Sequence, residues 1–266
     1  NSSIYATTDL ATIIQREKDF NPTRIWYIVD KRQSLHFVQV FRCARKAELV
    51  PPETELKHLG FGTMNGTDGK PFKTRAGGVM RLSDLIQTAT DGALEKLSGS
   101  EYVEGDKLKA AEKIGVAAIK FGDLCNQPSK DYVFDLGKFL SFDGKTGTYL
   151  LYTVTRINSI LKKAGIAYTD TLDINGIYTD TERELALLFA LSAETYAKAF
   201  EDMAPCVLCD NAYSIASVFS RFYHDNRILS EPDEKKRSSW LALSLLARKI
   251  LTKHLDILAI DYVENM

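Results

Sequence analysis

The run Asn65-Gly66-Thr67-Asp68-Gly69-Lys70-Pro71-Phe72-Lys73-Thr74-Arg75-Ala76-Gly77-Gly78 sets four glycines around three cations, Lys70, Lys73 and Arg75. Such a loop can close on a polyphosphate and meet charge that grows on it during transfer. It is not a P-loop, because Pro71 stands where that motif needs Ser or Thr. A solvated surface loop accounts for the composition equally well. A second group is Asp30-Lys31-Arg32-Gln33, with His36 one turn later. It follows a strand-like run, and ligands of open α/β sheets bind beyond the carboxyl ends of strands. An ordinary capped strand-to-helix turn is the commoner reason for such residues. A third group pairs Tyr5 with Asp9, four residues apart; a carboxylate there suits a guanidinium or ammonium, or simply the first turn of a helix. A fourth is Tyr149, Tyr152 and Arg156. At 100° per residue they point about 130° away from Leu150, Val154, Ile157 and Leu161. Two rings and a guanidinium can hold unpaired bases; they can also pack on a neighbouring helix.

These residues need elements to position them. Ile25-Trp26-Tyr27-Ile28-Val29 is a continuous apolar run rich in β-formers and predicts a buried, parallel strand. A helix over 33–46 and a second strand over 57–64 complete a strand–helix–strand unit. Ser83 and Asp84 open a helix, and helical spacing then dominates: 107–121, 147–163, 206–223 and 232–258. Thr181-Glu182-Arg183-Glu184 reads as a capping box opening one long helix through Leu185, Leu188, Phe189, Tyr196 and Phe200. Trp240, Leu243, Ala247, Ile250 and Leu251 form the apolar stripe of the last helix. The expected fold is mixed: an α/β part, then an all-α bundle, with the boundary at the Gly/Asp/Lys-rich stretch 143–147.

The chain has 266 residues, with 34 Lys+Arg against 35 Asp+Glu, a formal net charge of −1. At 45% hydrophobic and 26% charged residues the composition is that of a globular protein and excludes a disordered or collagen-like chain. No apolar run is long enough to span a bilayer, and no basic-then-apolar leader opens the chain. Four cysteines fit a reducing compartment rather than a disulfide scaffold. Cys206-Val-Leu-Cys209 has the spacing of half a zinc site, but no second pair completes it. Two buried thiols on a helix, and no structural metal, are expected there.

The ordered set is informative in a way that its parts are not. Tyr5-Ala6-Thr7-Thr8-Asp9, Asp30-x-Arg32-Gln33-x-x-His36, His58-Leu59-Gly60-Phe61-Gly62 and the loop from Asp68 to Gly77 resemble bacterial-type arginyl-tRNA synthetases. So do Asp131-Tyr132-x-Phe134-Asp135, Phe219-Ser220-x-Phe222-Tyr223 and Tyr262-Val263-Glu264-Asn265-Met266. The resemblance covers essentially the whole chain. It implies class I ATP-dependent ligation of arginine to its tRNA, with ATP, accompanied by Mg2+, as substrate. It implies that residues 1–143 are the C-terminal half of the catalytic domain, with its signature loop and a helical connection. Residues 144–266 are then an anticodon-binding helical domain.

By the same resemblance, Tyr5, Asp9 and Gln33 recognise L-arginine. His36, His58, Gly60, Gly62 and Met64 lie beside ATP, and Lys70, Lys73 and Arg75 act on its phosphates. Tyr149, Tyr152, Arg156, Tyr223 and Met266 line the anticodon loop of arginine tRNA. Two departures matter. Pro71-Phe72-Lys73-Thr74-Arg75 replaces the usual K-M-S-K-S, and the H-x-G-H signature is absent. With Asn1 in place of an initiator methionine, these features lead us to expect a C-terminal fragment, inactive alone, of a cytoplasmic ligase with no membrane partner. A non-catalytic tRNA-binding module and a class I synthetase of another amino-acid specificity are the alternatives.

Overall fold

The computed structural model describes residues 4–70, 81–97 and 104–264. Two compact units emerge: Asn1–Pro71 with Pro128–Val133, and Phe72–Gln127 with Phe134–Met266.

In the first unit, helix α1 (Tyr5–Phe20) leads to strand β1 (Arg24–Asp30). A 3-10 turn at Lys31–Gln33 then opens helix α2 (Ser34–Lys46), the crossover to strand β2 (Glu55–Phe61). β1 and β2 pair in parallel, with Ile25 opposite Leu56 and Asp30 opposite Phe61. Ile25 and Tyr27 pack with Ile13, Phe37, Val40, Ala44 and Val50 into a small core. The expectation of a fully buried strand is corrected. Side chains alternate along a strand, so Ile28 points to the opposite face and is 69% exposed. The second strand is also shorter than expected. After Phe61 the chain changes partner: the Gly62 N–H donates to Pro128 O at 2.8 Å, and the Thr63 N–H to Asp131 Oδ1 at 2.7 Å. Strand β3 (Met64–Asn65) then pairs in parallel with strand β4 (Tyr132–Val133).

The second unit is helical: α3 (Leu82–Lys96), α4 (Glu104–Leu124), α5 (Leu136–Phe139), α6 (Gly147–Lys163), α7 (Asp180–Ala190), α8 (Ser192–Glu201), α9 (Cys206–Asp225) and α10 (Glu234–Ile257). Leu150, Val154, Ile157 and Leu161 are all fully buried, each contributing about 1.5–3 kcal/mol. α6 is not a one-faced helix, however. From Gly147 to Leu161 only Ser159 is exposed, while Tyr149, Tyr152 and Arg156 are half-buried. A helix enclosed on nearly all sides is a central bundle helix.

The expected capping box sits two residues earlier than the sequence suggested. Thr179 Oγ1 caps α7 by accepting from the Glu182 N–H at 3.3 Å, and the Glu182 carboxylate reaches back to the Tyr178 N–H at 2.9 Å. The single long helix expected there is two, α7 and α8. At the break the Ser192 hydroxyl bonds back to Leu188 O at 3.1 Å, a competitor of the helical ladder. Cys206 and Cys209 are both buried on α9, and burial pushes the Cys209 thiol well above its ordinary range. Among the described residues no group of His, Cys, Asp and Glu could hold a metal, and no helix is long and apolar enough to cross a membrane.

His254 on α10 is fully buried; its Nδ1–H donates to Ile250 O at 2.9 Å, and its Nε2 has no partner. Burial holds its pKa below the ordinary 6.5. The unfolded chain therefore takes up this proton first as pH falls. Stability from this residue is complete above 6.5 and declines below it, by at most about 1.4 kcal/mol per pH unit. Unfolding of wild type and His254→Gln between pH 7 and 5 checks this. The variant is expected to lose that part of the slope.

Candidate functional site

In the first unit, three elements converge at the end of β1. Asp9 lies on α1, one turn after Tyr5, so both share a helix face. Gln33 closes the 3-10 turn and His36 lies one turn further on, at the start of α2. His36 Nε2 stands 2.6 Å from Asp9 Oδ2, which joins the two faces. Of the sequence-assigned arginine set, Asp9 makes this contact; Tyr5 precedes Asp9 by four residues on α1, and Gln33 precedes His36 by three. Tyr5 is 90% exposed, and Asp9 and His36 are about 30% exposed at their side chains. Asp30 is not available as a ligand group. It accepts from Arg32 N, Nε and Nη2 at 2.8, 2.9 and 2.6 Å, and these bonds lower its carboxyl to about 2.

His58 on β2 is held by its own strand neighbours. Its Nε2 lies 3.1 Å from Val29 O, and its ring stacks on Phe37 at 4.8 Å. Gly60 and Gly62 have a packing reason in addition to any ligand reason. A Cβ on Gly60 would stand 2.9 Å from Lys31 Cα, and one on Gly62 would stand 2.1 Å from Lys130 O. Met64 lies just beyond, in β3. Lys70 is exposed at the end of a tight turn. Gly69, at φ +73°, donates to Gly66 O, and the Gly66 N–H donates to Lys70 O at 2.7 Å. Lys73 and Arg75 lie outside the described residues.

Sequence reasoning gave no role to Asp131, although its motif was visible. Its Oδ1 accepts from Lys31 Nζ at 2.8 Å and from the Thr63 N–H at 2.7 Å. One carboxylate oxygen therefore ties the turn carrying Gln33 to the segment carrying Met64. The Lys31 ammonium holds the Asp131 carboxyl below its ordinary range.

In the second unit, Tyr152, Arg156 and Tyr223 come together. Arg156 Nη2 donates to the Tyr152 hydroxyl at 2.8 Å, and its guanidinium stands over the rings of Tyr152 and Tyr223 at 4.6 and 5.4 Å. Tyr223 is 40% exposed. Tyr149 is turned elsewhere: its hydroxyl meets Ser220 Oγ at 3.0 Å, and its ring packs near Tyr213 on α9. Met266 lies outside the described residues. The segment before it is clasped by groups that sequence reasoning missed. Arg248 Nε donates to Asn158 Oδ1 at 2.6 Å, and Asn158 Nδ2 donates to Glu264 O at 3.0 Å. Arg248 also stacks 3.4 Å from the Tyr168 ring centre. The motif Tyr262-Val263-Glu264 was the available signal.

A family model described as "tRNA synthetases class I (R), catalytic domain" matches residues 1–136. The chain belongs to the arginyl-tRNA synthetase family. A second model, the "DALR anticodon binding domain", matches residues 150–266. The arginine–tRNA ligase of Alkaliphilus oremlandii is 48% identical over 267 residues, and that of Agathobacter rectalis is 44% identical over 276. Each alignment covers 100% of this chain and 46% of the relative, so the chain spans about half the length of the curated relatives it matches. Two solved arginyl-tRNA synthetases share the fold. That of Thermus thermophilus superposes with a TM-score of 0.85 at 24% identity, over all of this chain and 50% of that one. That of Plasmodium falciparum gives 0.82 at 25% identity, covering 98% and 44%.

Proposed function

We propose that this chain serves an arginine–tRNA ligase, supplying the arginine-binding part of its catalytic domain and its anticodon-binding domain. The observation that carries the reading is the Asp9–His36 contact, which sets Asp9 on α1 against the start of α2, three residues after Gln33, in a chain of this family. A carboxylate and an amide oxygen offer acceptors to a guanidinium, which has five N–H donors and no acceptor.

In the proposed reaction an arginine carboxylate oxygen attacks the α-phosphorus of ATP. The bond to the β-phosphate oxygen breaks, and pyrophosphate leaves. A hydroxyl of the terminal adenosine of arginine tRNA then takes the arginyl group, and AMP leaves. Lys70, Lys73 and Arg75 meet the charge of the departing pyrophosphate, with Mg2+ entering as part of the nucleotide substrate. His58, Gly60, Gly62 and Met64 flank the adenosine. Tyr152, Arg156 and Tyr223 stack on anticodon bases, with Tyr149 and Met266 beside them. The division into residues 1–143 and 144–266, and a cytoplasmic location, belong to the same reading.

The chain carries no H-x-G-H, so by itself it is expected to charge no tRNA. An arginine-dependent charging assay on the isolated chain and on the full-length ligase carrying it tests this. Charging by the full-length protein alone supports the reading; charging by the isolated chain contradicts the division of labour.

A further inference from the structure

We propose that His36 is the positioning residue for arginine recognition, holding the Asp9 carboxylate in the orientation that receives a guanidinium. The proposal rests on the reading of Asp9 as the arginine partner and adds a second residue to that site. The resemblance alone sets His36 beside ATP; the geometry points to the amino acid instead.

Asp9 Oδ2 and His36 Nε2 are 2.6 Å apart, across 27 residues and two helices. Among the described residues this is the only side-chain hydrogen bond of Asp9, and it leaves Oδ1 without one. The two side chains are 30% and 28% exposed, within reach of a small ligand. An N–H on His36 Nε2 donates to Oδ2 and fixes how the carboxylate is turned. A carboxylate oxygen can accept two hydrogen bonds, as Asp30 Oδ1 does from Arg32 N and Nε, so Asp9 held by His36 can still offer both oxygens to a guanidinium. Gln33, at the i−3 position to His36, belongs to the same turn of chain. His36, on α2, thus fixes the rotation of the Asp9 carboxylate on α1. A carboxylate held in one rotation suits the planar donor edge of a guanidinium better than the compact ammonium of lysine.

The test uses the full-length ligase carrying this chain, with His36→Ala, His36→Gln and Asp9→Asn, assayed by pyrophosphate exchange. His36→Ala is expected to raise KM for arginine about 10-fold, the effect of one lost orienting hydrogen bond, with KM for ATP unchanged. His36→Gln keeps an N–H donor and is expected to recover most of the affinity. Lysine is expected to compete better against His36→Ala than against wild type. A raised KM for ATP with KM for arginine unchanged in both His36 variants would overturn the proposal. If Asp9→Asn raises the arginine KM and neither His36 variant does, only the positioning role fails. If Asp9→Asn has no effect, the arginine-site reading beneath it fails too.

Discussion

Asp9→Asn is expected to raise KM for arginine by about 30- to 1,000-fold, with little change in KM for ATP. The carboxylate is the only charge in the proposed arginine set of Tyr5, Asp9 and Gln33. Asparagine keeps the shape but not the charge, and it turns an amide N–H2 toward either His36 or the incoming guanidinium. Losing one partner of a hydrogen-bonded charge pair costs about 2–4 kcal/mol at a partly enclosed site. At 1.4 kcal/mol per decade that is the quoted range. Discrimination against lysine is expected to fall as well, because the planar fork of acceptors is broken. Steady-state kinetics of the full-length ligase read all three quantities. An unchanged arginine KM would remove Asp9 from the site.

Glu182→Ala is expected to have the largest effect on the fold. Glu182 is fully buried on α7, and among the described residues it forms no salt bridge. Its Oε1 accepts from Trp240 Nε1 at 2.8 Å and from Thr179 Oγ1 at 2.9 Å, and its Oε2 accepts from the Tyr178 N–H at 2.9 Å. One side chain therefore caps α7 and pins α10 to it. Alanine leaves the buried Trp240 N–H and the Tyr178 N–H without acceptors, at about 1–3 kcal/mol each, and opens a cavity. The sum is about 3–5 kcal/mol, or a fall in melting temperature of about 6–20 °C. Glu182→Gln keeps the volume and one acceptor oxygen, so its loss is expected to be smaller. Calorimetry of the helical unit's transition in the 266-residue chain decides this. A melting temperature within 2 °C of wild type would mean that the cap and the Trp240 bond are not what holds α7.

Local features were readable where one physical signal dominated. The β-branched and aromatic run 25–29 gave β1, and the spacing of Leu150, Val154, Ile157 and Leu161 gave the buried face of α6. Where two signals competed, the sequence was ambiguous. Thr179 and Thr181 both precede a glutamate by three residues, and only the tertiary bond from Trp240 to Glu182 favours the first. Burial of the other sides of α6 could not be read either, because it depends on which helices surround it. In the candidate site, Tyr152 and Arg156 were readable as an i, i+4 pair. Their union with Tyr223 was suggested by resemblance alone. Contacts made across long stretches of chain were invisible: Lys31 with Asp131 lies 100 residues apart, and Arg248 with Asn158 lies 90 apart. The sequence marked the motifs around these residues without saying what they touch.

Binding to arginine tRNA is the measurement that bears most on the proposed role of this chain. Fluorescence anisotropy would compare arginine tRNA with the same tRNA carrying an altered anticodon loop, each at two salt concentrations. Base–aromatic stacking is worth about 1–3 kcal/mol per base, so the native loop is expected to bind about 10-fold tighter or more. Affinity for both should weaken with salt as phosphate contacts are screened. Arg156→Ala should bring the two affinities together. Equal binding of the two tRNAs by the unaltered chain, or binding of neither, would contradict the account.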